Sequence, residues 1–407
     1  MRVAFIIPWY GRDIPGGAEA LCRNLALHLK EAGLEVEILT TCVRDFYADW
    51  SLNHYRAGEY KDEGITVRRF PVRPRDTALF DHLNAKLLAT PVHTLLGTNG
   101  NHLSPLLPEE ESAFLQEMIN SPALYEFLGS FGSSYDVLLF LPYMFGTTYF
   151  GSLVCPSRSL LIPCLHNESY AYMHTFRRMF SDAKAILCLS SAEERLVRLL
   201  YGSSPRTVIT GAGIDTKLSM DAKRFRSAFG IDSPFILYAG RKDEGKNVPM
   251  LIDYFVHYRA QGEARNDLKL VLIGGGSSHV PRSMDTHVID LGFVSRQDLL
   301  DAFAATQATC QPSTNESFSL VLMESLLAGT PVLVHAHCPV TVELCQRSNC
   351  GLYFADRDEF AACLDFLDGH PATAARMGQN GRHFVIQEYS WDRVLARYLD
   401  LFAQMQS

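Results

Sequence analysis

Short apolar runs alternate with longer segments whose apolar residues recur at helical spacing along almost the whole chain. Residues 3–7 read as a strand, Gly16-Gly17 as a glycine turn, residues 18–32 as an amphipathic helix and residues 35–40 as the next strand. Further strands are expected at 137–141, 159–163, 185–189 and 207–210. A second series begins at Phe235-Ile-Leu-Tyr-Ala239 and continues at 268–273, 287–291, 308–311 and 331–334. Strands alternating with helices build parallel sheets covered on both faces, so the pattern predicts an α/β chain with two doubly wound, Rossmann-like domains. The polar stretch 215–233 carries no convincing strand and marks the boundary. Residues 1–214 then form an N-terminal domain, 215–388 a C-terminal domain, and 389–407 a final amphipathic helix able to cross back to the first domain.

Residues 73–134 interrupt this alternation with a helical pattern around 79–88, a loop rich in Gly, Asn and Pro, and an apolar-periodic run at 109–128. Such spacing fits an insertion packing its own apolar stripe. That is the favoured reading, and a lid or acceptor platform touching a membrane face is the second. Periodicity alone leaves both open.

Composition narrows the function classes. The chain of 407 residues is 47% hydrophobic and 20% charged, with a net charge of −8. That balance gives no broad basic field, which argues against nucleic acid as a partner. An anionic ligand must be held by a local group of cations and helix N-termini. The ten cysteines form no C-x-x-C pair, so reduced thiols in a cytoplasmic protein are expected. The opening apolar run is too short for a signal peptide, and no stretch approaches the roughly 18 apolar residues of a membrane span. A cytoplasmic location follows, with peripheral attachment at the inner membrane face as the second reading. The sequons Asn167-Glu-Ser169 and Asn315-Glu-Ser317 are then incidental.

Two segments of the second series carry chemistry. The first is Glu316-Ser-Phe-Ser-Leu-Val-Leu-Met-Glu324, directly after the strand expected at 308–311. If the segment opens a helix, its two carboxylates stand about 12 Å apart along the axis. First-turn amides can face a diphosphate, one Glu a hexose and the other a ribose. The second is the loop Gly240-Arg241-Lys-Asp-Glu-Gly-Lys246-Asn247, placed after the first strand of its domain, where open parallel sheets bind ligands. Arg241 and Lys246 can clamp a diphosphate and stabilise it as it leaves. The loop taken alone is read equally well as solvated charges, with Asp243 and Glu244 pairing the cations.

Taken together and in this order, Arg241, Lys246, Glu316 and Glu324 resemble the donor site of retaining GT-B glycosyltransferases, family 4 or group 1, with its G-R-x-x-x-x-K loop and E-x7-E motif. The run Asn315–Val334 resembles that family's E-G-F-G-L…E-A-M-A-x-G-x-P-V-I segment, and Gly213-Ile-Asp215 its N-G-V-D hinge. The resemblance spans both domains except 73–134. It implies a GT-B fold with two Rossmann-like domains facing an interdomain cleft, and retaining, metal-independent transfer of a hexose from a nucleoside diphosphate sugar to a hydroxyl acceptor. No cofactor is implied beyond the donor substrate. A growing lipid-linked or surface polysaccharide is the acceptor suggested by analogy, with peripheral membrane contact through the N-terminal domain. Arg241 and Lys246 would hold the diphosphate, Glu316 the sugar hydroxyls and Glu324 the ribose. The amides around Phe318, Ser319 and Leu320 would approach sugar and phosphate. Gly16 and Gly17 match the turn that closes over the donor, and His166 the histidine bordering the reacting sugar.

Three departures stand out. Ser317 and Ser319 replace glycines, Asn247 stands where glycine is common, and Gly211-Ala212 replaces a polar pair. Any left-handed backbone at these serines would be strained, but a serine at a helix start is favourable as a cap. Other GT-B activities, namely a sugar-nucleotide epimerase or a phosphorylase, and a non-catalytic sugar-nucleotide sensor remain as alternatives. Nucleotide, sugar, acceptor and oligomeric state are not encoded in these motifs. Two further patterns are decoys. Gly274-Gly-Gly276-Ser-Ser-His279 follows a strand but puts His279 at the third glycine position of a dinucleotide fingerprint. His335, His337, Cys338 and Cys345 fit no standard zinc spacing, so no metal is expected.

Overall fold

The computed structural model describes residues 1–12, 14, 16–97, 102–261, 267–276 and 286–406. It divides the chain into two compact units, 1–213 with 394–407, and 214–393.

The first unit is built on an eight-stranded sheet. Its strands are β1 (Arg2–Ile7), β2 (Glu35–Thr41), β3 (Gly58–Asp62), β4 (Ile65–Phe70), β5 (Val137–Phe140), β6 (Ser159–Leu161), β7 (Ala185–Cys188) and β8 (Thr207–Ile209). They lie in the order β3-β4-β2-β1-β5-β6-β7-β8, parallel except for the β3–β4 hairpin. That hairpin was not anticipated, because β3 is exposed on nearly every residue and lacks an apolar face. The order reverses between β1 and β5, the topological switch point at which open α/β sheets bind ligands.

The second unit has six strands: β9 (Phe235–Ala239), β10 (Lys269–Ile273), β11 (Val288–Gly292), β12 (Ala308–Gln311), β13 (Val332–His335) and β14 (Gly351–Phe354). All are parallel, in the order β11-β10-β9-β12-β13-β14. Along β9, Ile236 and Tyr238 enter one core while Phe235, Leu237 and Ala239 enter the other. That two-residue alternation of uniformly apolar side chains is what a strand covered on both faces requires. The switch point lies between β9 and β12, so both chemistry-bearing loops emerge beside it.

The described residues of segment 73–134 form the three α-helices Thr77–Leu88, Pro108–Glu117 and Pro122–Phe131. The apolar run expected at 109–128 is therefore interrupted. Asn120 turns its amide back onto the carbonyls of Leu115, Gln116 and Met118, and Pro122 starts a new helix. Phe80, Leu83, Leu87, Phe114 and Leu115 are buried in the same core as residues of β1, β5 and β6. Glu111 accepts hydrogen bonds from the His174 and Thr175 amides, both at 2.8 Å. The segment is thus an integral part of the first unit's core.

No described helix is long and apolar enough to cross a membrane. The final helix, Trp391–Gln406, places Tyr398 in the first unit, with its hydroxyl 3.2 Å from Thr210 Oγ1.

Candidate active site

At the β9/β12 switch point the two loops are tied by one ion pair. Lys246 Nζ lies 2.7 Å from Glu316 Oε1, with side chains 21% and 10% exposed. Gln311, the last residue of β12, donates to the same carboxylate oxygen at 2.8 Å. Asp243 closes the turn that carries Lys246 by accepting from its amide at 2.9 Å. Arg241 is exposed and lies 3.4 Å from Asp243, a screened contact of little energetic weight. Asn247 has φ 55°, and its side chain donates to the Pro312 carbonyl at 3.1 Å. The left-handed backbone explains the glycine preference at this position. Asn is the residue that tolerates it best after Gly.

The helix after β12 begins only at Leu320 and runs to Leu327. Glu316 therefore sits in the loop, and the 12 Å helical separation from Glu324 does not apply. The expected serine cap is absent as well. Ser319 precedes the helix at φ 74°, makes no capping bond, and has its hydroxyl buried with no hydrogen-bond partner among the described residues. The fold keeps the backbone shape that glycine would adopt, next to Phe318, which is 5% exposed and meets Tyr389 edge-on at 5.0 Å. Ser319→Gly is expected to raise stability by roughly 1 kcal/mol, from relief of left-handed strain and an unpaired hydroxyl less the added chain entropy. A lower unfolding midpoint in urea would contradict this.

Glu324 has a partner that no motif indicated. Arg296 grips it through two bonds, NH1 to Oε2 at 2.7 Å and NH2 to Oε1 at 2.5 Å. The carboxylate holds the guanidinium above its already high ordinary pKa. Arg296 opens the helix after β11, whose strand end lies on the same edge of the sheet as those of β9 and β10. A lone Arg at a helix start carries no sequence signal of its role.

The glycine triplet after β10 has a packing explanation. Gly274 has φ 126°, and a Cβ there would lie 2.0 Å from the Gly240 carbonyl oxygen; at Gly276 it would lie 2.7 Å from the Lys242 oxygen. Lys242 N donates to Gly275 O at 2.7 Å, so the triplet is the floor on which the Arg241–Lys246 loop rests. His279 of the decoy lies outside the described residues. Among the described residues no three His, Cys, Asp or Glu side chains converge as a metal-binding group. His335 instead accepts from the His337 amide at 3.1 Å.

In the first unit, Gly16 caps the helix Gly17–Glu31 and both glycines are exposed. His166 follows β6, half-buried, with Nδ1 3.9 Å from Glu168 Oε1. Its loop is fixed by a buried carboxyl absent from any motif. Glu193 accepts from Leu165 N at 2.6 Å and from Leu189 N at 2.5 Å. Burial pushes this carboxyl up to about 8 from 4.5, against the pull of the two amides. A raised value in the folded state means stability is greatest below 4.5 and is lost as pH rises through about 8. The melting temperature should fall between pH 6 and pH 9, and Glu193→Gln should flatten that slope; an unchanged slope would refute the assignment.

Residues 219–384 match the family model described as glycosyl transferases group 1. The chain is 28% identical over 247 residues to D-inositol 3-phosphate glycosyltransferase of Xylanimonas cellulosilytica, covering 55% of this chain and 57% of that protein. It is 24% identical over 246 residues to the MMP alpha-(1->4)-mannosyltransferase of Mycolicibacterium hassiacum, covering 57% of each. It thus spans little more than half the length of these curated relatives. Among solved structures, sucrose-phosphate synthase from Thermosynechococcus elongatus superposes with a TM-score of 0.72 at 17% identity, over 99% of this chain and 98% of the other. Anabaena HepE in complex with UDP-glucose gives 0.67 at 16% identity, over 100% and 99%. At such identities these likenesses establish the fold: two parallel-sheet α/β domains of GT-B type.

Proposed function

From the glycosyl transferases group 1 match, which covers most of the second unit, we propose that the protein transfers a hexose from a nucleoside diphosphate sugar to a hydroxyl acceptor, with retention at the anomeric carbon. The observation that carries this reading is the Lys246–Glu316 pair joining the two loops at the β9/β12 switch point. A sugar nucleotide suits that place. Lys246 and Arg241 offer cationic donors to the diphosphate, and Glu316 offers an acceptor to sugar hydroxyls at the same spot. The Phe318 and Ser319 amides precede, and the Leu320 amide opens, a helix whose first-turn N–H groups lack intrahelical partners, which suits phosphate oxygens. Glu324, gripped by Arg296, is pre-oriented for ribose hydroxyls.

In the reaction the bond from the anomeric carbon to the diphosphate oxygen breaks, and the acceptor oxygen bonds to the same face. The acceptor proton passes to the leaving diphosphate, whose charge Arg241 and Lys246 stabilise. Neither glutamate is required as a nucleophile, and the cations take the part a metal would otherwise play. Gly16, Gly17 and His166 take the roles that the family resemblance implies, the glycine turn for the donor and the imidazole for the reacting sugar. The acceptor is a growing lipid-linked or surface glycan, handled by a cytoplasmic enzyme at the membrane face.

A thermal-shift screen with UDP, GDP, ADP and their common sugars tests the donor site. A ligand at 100 times its Kd adds about 2.7 kcal/mol of stability. Stabilisation by none of them would sink the proposal. Turnover of the stabilising sugar nucleotide in EDTA, with the product anomer read by NMR, then tests retention and metal independence.

A further inference from the structure

We propose that an aromatic cluster at the switch point of the first unit is a saccharide platform, on which Phe46 and Tyr47 receive a pyranose ring of the acceptor. The inference rests on the transferase reading and adds the residues that select the acceptor.

The cluster is assembled from three strand ends. Trp9 follows β1; Phe46, Tyr47 and Trp50 follow β2; Phe145 follows β5. Trp9 and Phe145 meet edge-to-face at 5.1 Å, which puts the centre of the cluster directly at the β1/β5 switch point. Trp9 also contacts Phe46 and Trp50, each at 5.9 Å. Burial is graded outward. Trp9 is 2% and Phe145 4% exposed, whereas Phe46 is 44% and Tyr47 67% exposed.

The exposed turn is built rather than loose. Asp45 accepts from Tyr47 N at 2.9 Å, and the Trp50 indole donates to the Phe46 carbonyl at 3.0 Å. A cluster serving only the core would bury its outer rings, since each large aromatic side chain gains by leaving water. Here they are held outward and rimmed by polar groups, the pattern of a ligand surface.

The rim selects the occupant. Asp45 and Asp49 supply carboxylate acceptors, and Arg75 lies over Trp50 and Phe80, its guanidinium carbon 4.9 and 4.5 Å from the ring centroids. A pyranose presents a C–H face and a girdle of hydroxyls that both donate and accept, which matches rings flanked by both charge signs. With Arg44 paired to Asp45 at 2.8 Å, the rim of Arg44, Asp45, Asp49 and Arg75 carries balanced charge and offers an anionic membrane surface no net attraction. The platform also adjoins the glycine turn. The Trp9 indole donates to Glu19, three residues beyond Gly16.

Two of the chain's three tryptophans, Trp9 and Trp50, lie in this cluster, so their emission reports on it. Wild-type protein titrated with methyl glucoside, galactoside and mannoside pyranosides, maltose and cellobiose should give a saturable emission change with at least one probe. The doubly substituted Phe46→Ala, Tyr47→Ala protein should bind that probe at least tenfold more weakly, while keeping a cooperative melting transition and an unchanged thermal shift with nucleotide. Tyr47→Trp should restore binding to the Tyr47→Ala protein's site. No response to any saccharide, or equal affinity in the double variant, overturns the inference. So does a wild-type dimer, or sedimentation with phosphatidylglycerol vesicles, that the double variant loses. A wild type that binds nucleotide but no saccharide overturns only this inference, whereas one that binds saccharide but no nucleotide overturns the donor reading instead.

Discussion

Lys246→Ala should lower kcat/KM for sugar transfer by about 10²–10³-fold, the range found when one transition-state donor is removed. The lysine would act where charge develops on the leaving diphosphate, and its ion pair with Glu316 holds the facing loop in place. Removing it leaves Glu316 with Gln311 at 2.8 Å while costing the pair's contribution of about 1–3 kcal/mol as a charged hydrogen bond. Two effects are therefore expected, a slower chemical step and a looser loop. Lys246→Arg separates them, because it keeps the charge but changes the geometry, and should recover stability more than rate. Single-turnover rates with saturating donor read the chemical step directly. Turnover equal to wild type in both Lys246→Ala and Arg241→Ala would end the donor-site assignment.

Gly274→Ala is expected to cost roughly 3 kcal/mol, the sum of left-handed backbone strain and overpacking. The added Cβ would sit 2.0 Å from a backbone carbonyl, that of Gly240, rather than against a side chain able to swing away. Either the turn after β10 or the loop after β9 must move. The second carries Arg241 and Lys246, so nucleotide affinity should fall along with the urea midpoint. Gly369→Ala is the matched control, because a Cβ there meets nothing within 4 Å and should leave stability unchanged or slightly higher. If Gly274→Ala unfolds within about 0.5 kcal/mol of wild type, in the range of an ordinary surface change, the packing explanation fails.

β8 and β11 were located although partly exposed, but most strands that the apolar pattern found, such as β9 and β12, are buried on both faces. Their runs are continuous because neither side faces water. β3, β4 and β14 were missed because each has half-buried or exposed residues and gains its place by pairing with a neighbour, which is a tertiary fact. The same divide runs through the candidate site. Arg241, Lys246, Glu316 and Glu324 could be found because fixed spacings tie charged residues to strand ends. Arg296 and Glu193 could not, since each acts on a group that folding brings near from a distant segment, and Gln311, although near Glu316 in the chain, belongs to no spacing motif. The cap expected of Ser319 fails for a related reason. A serine before a helix ordinarily caps it, but packing of Phe318 against Tyr389 accompanies a left-handed backbone here that turns the hydroxyl away from the helix amides. By itself the sequence determined the alternation of strand and helix, the two parallel sheets and the charged loops at their carboxyl ends, because these follow from local periodicity and residue type. Only the tertiary structure decided which charges meet, which glycines floor a loop, and which aromatic rings stay in water, because those depend on distances between segments far apart in the chain.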